Sequence, residues 1–513
     1  MSMRRALLWC LLVTGCSSQD LVFPKGFLWA VATSAHESEG RNTNSDWAAF
    51  EEMGNAPPAG WAQNSLDLYD TDAADAKAVN LNAFQLGIEW ARVVPRKPAD
   101  PFAPLTMADV DADAVAHYHR VLESIRSRGM TPIVAVTHFS FPRWVQNPKA
   151  YDEKTFAYTD GSLGGWASED TAKAMARYGE FLAKEYGAEV HWWITLDEPL
   201  VALLAGYAAG NFPPGFVNLS LDARNTPGQQ TAFEIMKHMI SAHAQTYKAM
   251  KAVRSDFQIG FAHNTVNWVP LHEPRDTAAA ARVNQAYNLL FLDAVVKGDF
   301  DTSSVGLGPN ESHPEWAGTA DYLGVNYYDS AWVVDSKGFL PPLDAVPCSP
   351  AFKDALPELF ASLGCPKDGP PEPPGMTKVL LMYQARYGMQ QLITESGFID
   401  TPDGKAKKVV EILAAVHDAI KQGAQVVGYN YWTLNYDYEW NGGWEQDMGL
   451  YGIKGFEGKA GTLLPDGGAW FPDETTDFTR VPLKPITDVY GQIAKENAIA
   501  KSLLTKYGVT ATP

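Results

Sequence analysis

The apolar positions of this chain fall into short runs separated by longer stretches that carry one polar face. The runs lie at 27–33, 83–88, 131–137, 190–195, 257–262, 322–326, 391–394 and 426–431. They have the length and the β-branched and aromatic content of buried strands. Between them, residues 112–128, 168–186, 231–253, 278–296 and 405–422 repeat their apolar positions at helical spacing. Strands that alternate with one-sided polar helices predict a parallel sheet. Eight such units predict an α/β fold, a single closed (β/α)8 TIM barrel with long loops at its carboxyl-end face. Two stretches break the alternation. Residues 335–375, ending in Pro370-Pro371-Glu372-Pro373-Pro374, read as a long loop after the sixth strand, and 452–482 as a second excursion after the eighth. Loops of this length in a compact domain are usually functional or disordered.

Two of the apolar runs end on carboxylates. Val190 to Pro199 reads VHWWITLDEP, and Gln391 to Gly397 reads QLITESG. Carboxylates are a poor choice for packing at the end of a buried strand, because desolvating a charge is costly. In a parallel barrel, however, the carboxyl end of a strand is where chemistry is placed. A pair of strand-end carboxylates suits glycosidic-bond cleavage, in which one acid protonates the leaving oxygen and one carboxylate attacks the anomeric carbon. An Asp-Glu pair can equally be a solvated turn, and only the second run tips the reading toward catalysis.

At these two stretches the sequence strongly resembles the family 1 glycoside hydrolases, the β-glucosidase and β-galactosidase family. Thr195-Leu196-Asp197-Glu198-Pro199 matches the family's T-x-N-E-P motif, and Ile393-Thr394-Glu395-Ser396-Gly397 its I/V-T-E-N-G motif, each with one substitution. The likeness spans nearly the whole mature chain. It includes Phe27-Leu28-Trp29, Glu39-Gly40, Trp90-x-Arg92, Thr137-His138-Phe139, Gly164-Gly165-Trp166, Asn326-Tyr327-Tyr328 and the stretch from Trp432 to Trp440. The resemblance implies Glu198 as general acid and base and Glu395 as nucleophile, with the two carboxyl groups roughly 5–5.5 Å apart for retention. It further implies that Tyr328 hydrogen-bonds the nucleophile and that Asn326 lies in its surroundings. His138, Glu439 and Trp440 would hold sugar hydroxyls, over an aromatic platform at Trp432.

Three positions depart from the family pattern. Glu37 stands where the family has Gln, Gln85 where it has Arg, and Asp197 where it has Asn. All three make the pocket more negative, and the loss of a cation near Glu395 should raise its pKa. Three explanations are open: the substrate carries a compensating cation such as an amino sugar, some of the acids stay protonated as neutral donors, or selection for hydrolysis has been relaxed. In the first case Asp197 would pair with a 2-ammonium group.

Composition narrows the partners. The chain has 513 residues, 46% hydrophobic, with a formal net charge of -19. Such an acidic balance argues against nucleic acid, since phosphate binding needs a basic face. Arg4 and Arg5, the apolar run 6–13 and Val13-Thr14-Gly15-Cys16 describe a signal peptide resembling a bacterial lipobox. Residues 1–15 would be removed, Cys16 would carry lipid, 16–22 would form a tether of about 20 Å, and 23–513 would be the catalytic domain. The protein would then be exported and meet the membrane only through this anchor. Cys348 and Cys365 share one loop of an exported chain, which permits a disulfide or two buried thiols. No metal or organic cofactor is implied, because neither the cysteines nor the histidines have metal-ligand spacing. The reading is a retaining exo-β-glycosidase for β-glucoside or β-galactoside substrates. A transglycosylase using the same intermediate and a catalytically weakened carbohydrate-binding lipoprotein are the alternatives.

Overall fold

The structure is a computed structural model that describes residues 19–152, 157–215, 232–303, 308–337, 343–348, 362–464 and 467–510. Residues 1–15 and Cys16, on which the signal and lipid expectations rest, lie outside the described residues.

The eight apolar runs form the eight strands of a closed barrel: β1 (Leu28–Ala32), β2 (Ala83–Gly87), β3 (Thr131–Ala135), β4 (Trp192–Asp197), β5 (Gln258–Asn264), β6 (Leu323–Asn326), β7 (Gln391–Ser396) and β8 (Val426–Trp432). Each strand pairs in parallel with the next, and β8 closes on β1 in the register Gly428↔Leu28 to Trp432↔Ala32. The interior is filled by Ala30, Ala83, Ile133, Ala135, Ile194, Ala262, Tyr322 and Leu392. Small side chains dominate this set, with Tyr322 as the one large member, its hydroxyl donating to the Trp193 carbonyl at 2.9 Å. The larger core lies outside the strands, where the helices cover them. That layer is why each strand reads as a continuous apolar run, not as an alternating one.

Four of the five expected helices are found nearly as read: Ala112–Ser127, Glu169–Tyr186, Ala232–Val253 and Pro402–Lys421. The fifth, expected as one helix over 278–296, is interrupted. Helix Thr277–Asn284 passes into a π-helical turn, Gln285–Leu289, before Leu290–Lys297. Apolar periodicity does not register a single widened turn, and such turns gather at functional sites; here it bears Tyr287, which reaches the pocket.

Two boundaries need correction. Leu21–Val22, expected in the tether, pair antiparallel with Ala498–Ile499, so the folded domain begins before residue 23. Their N–H and C=O groups join a two-stranded ladder that sequence periodicity is too short to signal. The stretch 335–375 is not one loop. Ser330–Asp335 pairs with Ala345–Cys348 and with Asn267–Pro270, a three-stranded sheet continuing from the ends of β5 and β6. The proline cluster opens the helix Glu372–Tyr387. Proline is tolerated in the first turn, where its missing N–H has no helical partner. Cys348 and Cys365 form a disulfide across this excursion, which settles the choice between bridge and thiols.

The excursion after β8 returns through the pair Tyr451–Ile453 and Arg480–Pro482. It is tied to the helix Ser65–Ala78 by Arg480, whose guanidinium binds Asp72 at 2.8 Å while both side chains are buried. Removing one partner of a buried pair strands the other charge. Arg480→Ala should therefore cost about 3–5 kcal/mol, measured as a fall in the urea midpoint, whereas Lys454→Ala, at an exposed pair with Asp477, should leave that midpoint nearly unchanged.

Candidate active site

Backbone irregularities at two strand ends aim the carboxylates. Successive strand residues point to opposite faces, yet Asp197 and Glu198 both meet the Asn326 side chain. The register of β4 against β5 shifts between Ile194 and Asp197, and Glu198 adopts a left-handed conformation, φ 39° and ψ 60°. A non-glycine residue in that region stores strain and marks an over-determined position. The Glu198 N–H donates to Ala262 O at 2.9 Å, and Pro199 then starts the helix Pro199–Leu203. On β7 the register against β8 shifts between Ile393 and Ser396, on either side of Glu395. Gly397 follows because the chain there runs against β8: a Cβ would stand 2.1 Å from the Trp432 carbonyl oxygen.

The surroundings of the two glutamates differ. Glu198 Oε1 accepts from Asn264 Nδ2 and Asn326 Nδ2, both at 2.9 Å. Each amide is oriented from behind, as Tyr287 Oη donates to Asn264 Oδ1 at 2.8 Å and Thr394 Oγ1 to Asn326 Oδ1 at 2.6 Å. Burial pushes the Glu198 carboxyl up, and the two amides, which favour the ionised form, oppose it. Asn326, expected beside the nucleophile, thus directs its amide at Glu198 and, at 3.4 Å, at Asp197.

Glu395 Oε2 accepts from Tyr328 Oη at 2.9 Å, the contact expected for that tyrosine. Burial pushes Glu395 well above the usual carboxylate range; Asp197, Glu198 and Glu37 add to this, and the Tyr328 hydrogen bond offsets part of it. The direction is the one expected from Gln85, although burial and Asp197 lead the causes. Gln85 itself is fully buried, accepting from Asn430 Nδ2 at 2.7 Å. Asp197 is pushed well up by burial and by Glu198, and it lies close enough to Glu395 to share a hydrogen bond.

Two compact clusters result. Ligand atoms of His138, Asp197 and Glu395 lie within 4.8 Å of one another, as do those of Glu37, Asp437 and Glu439. Each is tight enough to surround one small cation. His138 Nε2 stands 3.4 Å from Asp197 Oδ2, and burial pushes the imidazole down to about 3, so it is neutral. Its ring is sandwiched between Trp432, at 5.6 Å, and Trp440, at 5.8 Å. In the second cluster Glu37 Oε2 takes a hydrogen bond from Ser34 Oγ at 2.5 Å. Glu439 Oε1 takes one from Trp432 Nε1 at 3.2 Å. Burial first, then Glu439 and Asp437, push Glu37 well up, and burial lifts Glu439 to about 7.

Glu37, His138, Asp197, Glu198, Asn326, Tyr328, Glu395, Trp432, Glu439 and Trp440 are thereby brought together, whereas Gln85 lies against Asn430. Asn264, Tyr287 and Asp437 belong there too and were not foreseen. Asn264 could have been found by carrying the fifth apolar run two residues further, to the strand end. Asp437 stands two positions before Glu439 in the same motif. Tyr287 has no signal, since its place depends on the π-helical turn.

The glycosyl hydrolase family 1 model matches residues 19–471. A β-galactosidase of Pyrococcus woesei is 27% identical over 506 residues, covering 84% of this chain and 93% of the relative. β-Glucosidase 47 of Arabidopsis thaliana is 27% identical, covering 84% and 81%. Among solved structures, the β-glycosidase from Pyrococcus horikoshii superposes with a TM-score of 0.73 at 26% identity, covering 95% of this chain and 98% of that one. Barrel, pocket and sequence agree: the chain belongs to glycosyl hydrolase family 1.

Proposed function

We propose that the protein is a retaining exo-β-glycosidase acting on β-glucoside or β-galactoside substrates. The observation that carries this reading is the unequal setting of two buried carboxyl groups, with Glu198 held by two amides and Glu395 by a phenol. Glu198, raised by burial, is suited to hold a proton for the departing oxygen. Glu395 attacks C1 as the bond to the aglycone breaks, and its carboxyl oxygen becomes bonded to the sugar. Glu198 gives its proton to the leaving oxygen, then takes one from the water that releases the sugar. An acceptor alcohol in place of water gives transglycosylation by the same steps. Relatives named β-galactosidase and β-glucosidase support the substrate class.

A second reading, a sugar-binding protein with little turnover, is favoured by one observation. Gln85 and Asp197 leave Glu395 without a cation, and its carboxyl is pushed toward the neutral form. We propose further that Cys16 carries the lipid of an exported protein; the Cys348–Cys365 disulfide, which suits an oxidising compartment, supports export.

Incubation with an aryl 2-deoxy-2-fluoro-β-glycoside should add one fluorosugar to the intact mass, mapping to Glu395, and Glu395→Ala should abolish both label and turnover. Absence of label with gluco and galacto probes alike would leave an unusual glycone, such as an amino sugar, or the silent binder. Asn264→Ala removes a donor that favours ionised Glu198, so the Glu198 pKa rises. The alkaline limb of kcat/KM, where that proton is lost, should move to higher pH. A limb that stays or moves down would exclude Glu198 as the acid. Cys16→Ser should eliminate incorporation of labelled fatty acid, and incorporation that persists would refute the anchor.

A further inference from the structure

The pocket holds six carboxyl groups, those of Glu37, Asp197, Glu198, Glu395, Asp437 and Glu439. Among the described residues, none of them forms an ion pair with a lysine or arginine. Lys405 acts on Asp437 from a distance but pairs with Asp447 at 3.2 Å and the Gly449 carbonyl at 3.0 Å. Burying this many acids without a cation is unfavourable unless protons are retained or a cation arrives with the ligand.

The two clusters differ in what the reaction asks of them. Glu37, Asp437 and Glu439 take no part in bond making and can keep their shared protons throughout. Glu395 cannot. Its Oε1 and the Asp197 Oδ2 are both buried and have no donor, and a proton between the two carboxyls would satisfy both. A proton held there draws charge from the oxygen that attacks and weakens it as a nucleophile. Attack is favoured when that proton leaves as substrate binds, which requires another group to neutralise Asp197. Asn326, which also faces Asp197, carries no charge, and His138, held neutral by burial, cannot supply one.

Resting on the glycosidase reading above, we propose that the glycone is cationic: a 2-amino-2-deoxy sugar whose ammonium pairs with Asp197 and so frees Glu395 to attack. The position follows from contact. Glu395 bonds to C1, and Asp197 lies against Glu395, beside the ring positions that flank C1; of these only C2 carries a substituent that Asp197 could bind. A hydroxyl there can donate to Asp197 but leaves its charge in place. An ammonium donates and neutralises at once, which makes the contact a charge-assisted hydrogen bond. On binding, the proton shared by Asp197 and Glu395 goes to solvent, and Glu395 keeps only the Tyr328 hydrogen bond. The C1–Glu395 bond then forms, the C1–aglycone bond breaks, and the Glu198 proton goes to the departing oxygen.

The test compares kcat/KM of the mature protein for three aryl β-glycosides, in both gluco and galacto configuration, at a pH where the amine is charged. They carry a 2-amino, a 2-hydroxyl or a 2-acetamido group. The amine should be preferred over the hydroxyl by about ten- to a hundredfold. The acetamide, which keeps the nitrogen without the charge, should be the poorest. Asp197→Asn should reverse the preference of amine over hydroxyl. Should that variant not fold, the amine-to-acetamide ratio of the unaltered protein decides. Preference for the hydroxyl, or equal rates for amine and acetamide, overturns the proposal. A fluorosugar label on Glu395 with no turnover of the amine overturns it while leaving the glycosidase reading intact. No label and no turnover of any substrate overturns both.

Discussion

The constraint on which the rest of the pocket depends is desolvation. A carboxyl group removed from water rises in pKa unless a charge or a donor holds it ionised. This pocket supplies donors and withholds cations. Oriented amides at Glu198 and a phenol at Glu395 therefore decide which carboxyl keeps a proton. Small changes in hydrogen bonding around these groups thus weigh more than any change in overall charge. The net charge of -19 is mostly a matter of solubility, whereas acids inside the barrel mouth govern chemistry.

The positions of these groups rest on the barrel. Its interior is filled with alanines and a few larger side chains, so the strands cannot shift without a clash or a void. Against that rigid wall, the register shifts near Asp197 and Glu395 and the left-handed Glu198 are local departures with a purpose. They turn side chains that regular strands would send to opposite faces. Strain of this kind survives only where the surrounding structure over-determines it.

Much of this was legible in the chain itself. Eight apolar runs became eight strands, with ends displaced by at most two residues, because a strand covered on both sides must be apolar throughout. The carboxylates were visible because they interrupt that apolarity. What stayed hidden depends on contacts distant in sequence. The π-helical turn at Gln285–Leu289 follows a helical stretch whose periodicity gives no warning of it, and the amide of Asn326 could not be aimed until Thr394 was beside it. The proline run at 370–374 misled because proline starts helices as readily as it fills loops.

The two ends of the chain meet. Leu21–Val22 pairs with Ala498–Ile499, β1 closes on β8, and the Trp29 indole donates to Asn497, 468 residues away. No portion short of β8, which ends at Trp432, can therefore complete the barrel, and its first strand keeps an unpaired edge until the eighth arrives. Contacts so remote in sequence form slowly, and exposed strand edges invite pairing with the wrong partner in the interval. The finished molecule has no such edge in its barrel, so the hazard belongs to biogenesis and ends when β8 pairs with β1.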